Sequence, residues 1–157
     1  MGLLESLWRK PTMLNVGDQA PSFAVQDHTG AMRKLSDYRG KSVVLYFYPK
    51  ADTPGCTVES CGFSDLYADF QNKNAEILGV SFDTVEENAA FAKKFGYKFP
   101  LLCDVKRGIG VAYGAANDAK AGYASRITYV IGPDGKIAQA YAKVSPKSHP
   151  KEILESL

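Results

Sequence analysis

Apolar positions along this chain recur with two periods, and each stretch of constant period predicts one element. Val43 to Tyr48 is an unbroken run of β-branched and aromatic residues. It reads as a strand buried on both faces, ended at Pro49 by the loss of an amide donor. Thr57 to Asn72 carries Val58, Phe63, Leu66, Tyr67 and Phe70 at spacings near three and four, the period of a one-sided helix whose first turn is delivered by the loop Lys50 to Gly55. Glu76 to Phe82 reads as a second strand. Thr84 and Glu87 then form a capping box that opens a helix through Phe95, with Gly96 as its stop.

Weaker patterns fill the rest. Ala24 to Asp27 and Ala31 to Leu35 predict short strands around an Asp27-His28-Thr29-Gly30 turn, and Ser36 caps a brief helical turn before Gly40. Leu101 to Cys103 is a short extended piece, and Val105 to Tyr113 a helix weakened by Gly108 and Gly110. Arg126 to Ile131 and Lys136 to Val144 flank Gly132-Pro133-Asp134-Gly135, a turn that makes the pair antiparallel. A last helix starts at Ser148 or His149, since Pro150 suits a first turn whose amide is unpaired in any case. Strands alternating with helices and then an antiparallel pair predict an α/β chain of thioredoxin-like fold: a central mixed β-sheet, helices on both faces and an N-terminal β-hairpin.

Composition narrows this little but excludes much. Hydrophobic residues make up 45% and charged residues 23% of the 157 residues, the usage of a globular domain rather than of a disordered or fibrous chain. Residues 1–13, with Leu3, Leu4, Leu7 and Trp8 broken by Glu5, read as an N-terminal amphipathic extension, and residues 14–157 as a single domain. A net charge of +2 without a dense basic block gives no footprint for nucleic acid. No apolar run approaches the roughly 20 residues of a membrane-spanning helix, and the N-terminus lacks the continuous apolar region of a secretion signal. Three cysteines, Cys56, Cys61 and Cys103, are an odd number, which points to reactive thiols in a reducing, cytoplasmic location.

The chemistry concentrates in Pro49-Lys50-Ala51-Asp52-Thr53-Pro54-Gly55-Cys56-Thr57-Val58-Glu59-Ser60-Cys61. This segment joins the end of the central strand to the start of a helix, the edge at which open α/β sheets place ligands. Cys56 falls at the helix N-terminus, where unpaired amides and the macrodipole favour thiolate over thiol. It is therefore a candidate nucleophile.

Pro49, Thr53 and Cys56 match the proline, threonine and peroxidatic cysteine of the peroxiredoxins, and Thr-Pro-Gly-Cys-Thr-x-Glu-x-Cys resembles the peroxiredoxin Q, or bacterioferritin comigratory protein, branch. The resemblance runs from about Val16 to Leu157. It implies a thiol peroxidase that reduces hydrogen peroxide and organic hydroperoxides without a cofactor. By the same resemblance Arg126 is the site arginine, supplying charge to thiolate and peroxide. Thr53 accepts a hydrogen bond from the peroxide and donates one to the sulfur, Pro49 shields the sulfur from water, Gly55 lets backbone pass close to the substrate, and Glu59 orients the arginine. Phe47 and Tyr48, just before the site, are candidates to wall the peroxide pocket.

Attack leaves a sulfenic acid on Cys56, and the branch implies Cys61 as the resolving thiol. Five residues apart on an intact helix, their Cα atoms are roughly 8.6 Å apart, beyond the reach of about 7 Å that a disulfide tolerates. The helix must unwind in each cycle. Cys103, after apolar Pro100-Leu101-Leu102, reads as packing, with a resolving role as the alternative. No dinucleotide fingerprint is present, so electrons come from another protein: thioredoxin by resemblance, with glutaredoxin or glutathione possible. Both cysteines lie in one chain, so a monomer suffices. His28 and His149 lack a second ligand at metal spacing, so no metal is expected. The competing reading is a thioredoxin-like thiol-disulfide oxidoreductase or redox sensor, whose usual Cys-x-x-Cys is absent here.

Overall fold

The structure is a computed structural model that describes residues 12–157. The amphipathic positions Leu3 to Trp8 lie outside the described residues. Strands β1 (Ala24–Gln26) and β2 (Met32–Lys34) pair antiparallel as the N-terminal hairpin. The main sheet has the order β5-β4-β3-β6-β7, built from β3 (Ser42–Phe47), β4 (Ala75–Ser81), β5 (Leu101–Cys103), β6 (Thr128–Ile131) and β7 (Ile137–Tyr141). β3 runs parallel to β4 and antiparallel to β6, so it is central and the sheet is mixed. The helices are α1 (Pro54–Asp65), α2 (Tyr67–Asn72), α3 (Val85–Phe95), α4 (Gly108–Ala112) and α5 (His149–Ser156).

The period of two along β3 divides the core. Val43, Leu45 and Phe47 enter one cluster with Ile109 and Tyr113, on the side of α4. Val44, Tyr46 and Tyr48 enter the other, with Phe63 of α1, Phe70 of α2, Phe91 of α3 and Ile153 of α5. The sheet thus carries helices on both faces. α3 has the full capping box between Thr84 and Glu87 and a left-handed Gly96 (φ 69°) after its last turn, and Gly135 (φ 83°) closes the β6–β7 hairpin.

Several local expectations are corrected. The helix predicted over 57–72 begins earlier, at Pro54, and is broken at Leu66 (φ −98°, ψ 6°) into α1 and α2. Val58, placed on the apolar face by spacing, is 47% exposed, because α1 turns the Cys56–Glu59–Phe63 face inward. The turn before Gly40 is a 3-10 helix, Leu35–Tyr38, and its cap is Lys34, whose amide donates to Asp37, rather than Ser36. Between Val105 and Tyr113 only Gly108–Ala112 is helical, as two glycines in so short a segment allow. β7 ends at Tyr141, before Val144.

Candidate active site

Residues 49–61 leave the C-terminal end of β3 and run straight into α1. Thr53 is the N-cap, and Pro54 takes the first helical position, where a missing amide removes no hydrogen bond. Cys56 follows in the first turn and is fully buried. Pro49, partly buried, forms the strand end beside this turn.

Arg126 arrives from a distant part of the chain, two residues before β6. Its Nη2 donates to Cys56 Sγ at 3.3 Å and its Nη1 to Glu59 Oε1 at 2.7 Å. Glu59 lies three residues after Cys56, so both side chains share one face of α1, and the planar fork of one guanidinium spans them. Sulfur and carboxylate together hold Arg126 cationic against its partial desolvation. Glu59 is itself fully buried, and burial pushes its carboxyl up to about 7 against the pull of Arg126. The close approach that Gly55 permits is to this arginine: a Cβ there would stand 3.0 Å from Arg126 Nη2.

Thr53 Oγ1 donates to the Lys50 carbonyl at 2.8 Å. Its proton therefore closes the loop in this structure rather than reaching the sulfur, and its oxygen keeps lone pairs that can accept from a peroxide. Tyr48 shares the Cys56 side of the sheet, whereas Phe47 points into the opposite cluster. Of the two candidates to wall the pocket, only Tyr48 is on the correct face.

Sequence reading missed the groups that hold this loop. Ala51 N donates to Asp83 Oδ2 at 2.8 Å, Lys50 Nζ sits 2.7 Å from Asp83 Oδ1 and 2.8 Å from Glu87 Oε2, and Lys94 pairs with Asp52 at 3.0 Å. The only local signal was that Asp83 lies two residues beyond the C-terminal end of β4, at the same sheet edge. Cys61 is partly buried on α1, its Sγ 3.7 Å from Tyr97 Oη. Cys103 is buried, receives Asn88 Nδ2 at 3.5 Å, and burial pushes its thiol up. All three cysteines are reduced. Among the described residues no group of His, Cys, Asp and Glu is arranged to hold a metal, and no helix is long and apolar enough to cross a membrane.

A buried cysteine at a helix start, met by an arginine that a buried glutamate aligns, defines a thiol site of the thioredoxin-fold peroxidases. The chain belongs to the AhpC/TSA family, whose model matches residues 16–140. It is a peroxiredoxin, a thiol-dependent peroxidase similar to the peroxiredoxin Q and Bcp proteins. It is 37% identical over 149 residues to peroxiredoxin Bcp of Bacillus subtilis, covering 92% of this chain and 95% of that one. A Cys-to-Ser mutant of Xylella fastidiosa PrxQ matches with TM-score 0.86 and 32% identity, over 92% of this chain and 96% of that one. The Xanthomonas campestris bacterioferritin comigratory protein, whose structures bear on its alkyl peroxide reduction activity, matches with TM-score 0.82 and 29% identity, over 94% and 96% of the two chains.

Proposed function

We propose that Cys56 is the peroxidatic cysteine, Cys61 its resolving partner, and Arg126, Thr53, Pro49, Gly55 and Glu59 the residues that bind and polarise the peroxide. The contact of Arg126 Nη2 with Cys56 Sγ, at 3.3 Å, carries this reading. The thiolate attacks one peroxide oxygen, the O–O bond breaks, and the leaving oxygen departs as water or alcohol after protonation. Charge moves from sulfur to that oxygen, so a fixed cation beside both stabilises the transition state more than the reactants. Thr53 accepts a hydrogen bond from the peroxide, and the amides of the first turn of α1 add donors.

Cys56 sulfenic acid then condenses with Cys61, releasing water. Both residues lie within one continuous helix, so α1 unwinds at its N-terminal end before the disulfide closes. Reduction by a thioredoxin returns both thiols, in keeping with the family's use of peroxides and thioredoxin-type reductants. Organic hydroperoxides join hydrogen peroxide as substrates, on the likeness to the Xanthomonas campestris protein. The cycle needs one chain only, so the protein acts as a monomer, as a single domain over residues 14–157, in antioxidant defence of the cytoplasm.

The test is peroxide consumption coupled to thioredoxin, thioredoxin reductase and NADPH. Cys56→Ser and Cys61→Ser abolish turnover and Cys103→Ser retains it. Loss in Cys103→Ser with turnover kept in Cys61→Ser would transfer the resolving role, and a wild type without turnover would favour disulfide exchange instead.

A further inference from the structure

The segment that rearranges during turnover is tied down at both ends by the same part of the molecule. At its start, Lys50, Ala51 and Asp52 are held by Asp83, Glu87 and Lys94, that is, by α3 and the residue two before it. At its far end, Cys61 Sγ meets Tyr97 Oη at 3.7 Å, and Tyr97 follows directly on the left-handed Gly96 that stops α3.

Tyr97 is a rigid post. Its amide donates to Ala92 O at 3.1 Å. Its ring is stacked on Phe95 at 5.8 Å and on Phe99 at 5.9 Å, and meets Phe91 edge-on at 4.9 Å. It is only 8% exposed, so its hydroxyl cannot follow a moving partner. Cys61 leaves α1 at about 140° around the helix axis from Cys56. Its sulfur must give up Tyr97 before it can bond to Cys56.

We propose that Tyr97 is a positioning residue for the resolving step: its hydroxyl parks the Cys61 sulfur on the far side of α1, and release of that contact sets how quickly the Cys56 sulfenic acid becomes a disulfide. This rests on Cys61 being the resolving thiol. Two fates compete for the sulfenic acid. In resolution the Cys61 sulfur attacks, the S–O bond breaks, an S–S bond forms, and hydroxide leaves with the thiol proton as water. In over-oxidation the sulfenic acid attacks a second peroxide, the O–O bond breaks, one oxygen is gained as sulfinic acid, and alcohol or water leaves. A contact that exists only while Cys61 is in the helix slows the first fate and leaves more time for the second.

Tyr97→Phe removes the hydroxyl and keeps the ring stack. Reduced protein is mixed with hydrogen peroxide, quenched at intervals with a dimedone-type sulfenic acid trap and a thiol alkylator, and read by mass spectrometry. In Tyr97→Phe the disulfide forms roughly two- to tenfold faster, the range that one weak hydrogen bond supports. The peroxide concentration giving half over-oxidation rises by the same factor, a coupled shift that a purely structural loss would not produce. Disulfide formation that is unchanged or slower overturns the proposal. Cys61→Ser, run in parallel, tests the underlying reading separately: a Cys56 disulfide that still forms within that chain removes Cys61 from the resolving role, whatever Tyr97→Phe does.

Discussion

Glu59 presents one carboxylate oxygen to Arg126 at 2.7 Å, while the other, Oε2, is buried without a hydrogen-bond partner. A half-satisfied buried carboxylate is costly when ionised, which is why burial raises its pKa to about 7 from 4.5. The opposite case lies across α1. His149 is buried, shares a 2.8 Å hydrogen bond with Thr128 Oγ1, and meets Phe63 edge-on; burial lowers its pKa to about 4 from 6.5.

These two groups oppose each other in the pH dependence of stability. Glu59 binds more protons folded than unfolded, so its contribution is fully present below pH 4.5 and is lost as pH rises to about 7. His149 binds fewer folded, so its contribution is present above pH 6.5 and is lost as pH falls toward about 4. Each is worth about 3 kcal/mol across its window. Urea unfolding at a series of pH values should show His149→Gln losing stability from pH 4.5 to 7 and Glu59→Gln gaining it from pH 4 to 6.5, relative to a flatter wild type. Parallel profiles for the three proteins would contradict this.

Arg126→Lys keeps the charge and loses the fork. A single ammonium cannot reach both Cys56 and Glu59 with the geometry of Nη1 and Nη2. The second-order rate constant for peroxide attack, followed by stopped flow, should fall by roughly 10²-fold or more, with far-UV circular dichroism unchanged.

Gly55→Ala separates function from stability. The added Cβ would stand 3.0 Å from Arg126 Nη2 and push the guanidinium off the sulfur, while alanine favours the helix by up to about 1 kcal/mol. Tm should hold or rise as the peroxide rate falls about tenfold. A rate equal to wild type would show that the arginine tip has room to move.

Oxidation should open the N-terminal half of α1. Hydrogen exchange of the Cys56–Cys61 disulfide form should show lost amide protection from Cys56 to Phe63, with protection kept in α3. Protection retained over α1 after the disulfide has formed would be incompatible with the helix geometry.

Much of the architecture was legible because it rests on short-range rules. The capping box of Thr84 and Glu87, the stop at Gly96 and the Gly132-Pro133-Asp134-Gly135 turn all lie where the sequence pattern puts them, since each depends on residues a few positions apart. The motif of Pro49, Thr53 and Cys56 was legible for the same reason: all three sit on one strand–loop–helix join. The errors came where local period competes with packing. Val58 has helical spacing to its apolar neighbours yet faces solvent, because the inward face of α1 is claimed by Cys56, Glu59 and Phe63. Leu66 sits on the same period and nevertheless breaks the helix.

By itself, then, the sequence determined the order of the main elements, the sheet class and the placement of a candidate nucleophilic thiol at a helix start, all of which follow from backbone preferences and side-chain period within about ten residues. The tertiary structure decided what the thiol meets. Arg126 is 70 residues from Cys56, Asp83 is 32 from Ala51 and Tyr97 is 36 from Cys61. No periodicity links such pairs. They meet because β3 lies between β4 and β6, which brings the C-terminal end of one strand beside the start of another and sets the residues after α3 against α1. Electrostatic and hydrogen-bond energies depend on distance in space, so the charge beside the sulfur and the post beside Cys61 exist only once the sheet has assembled.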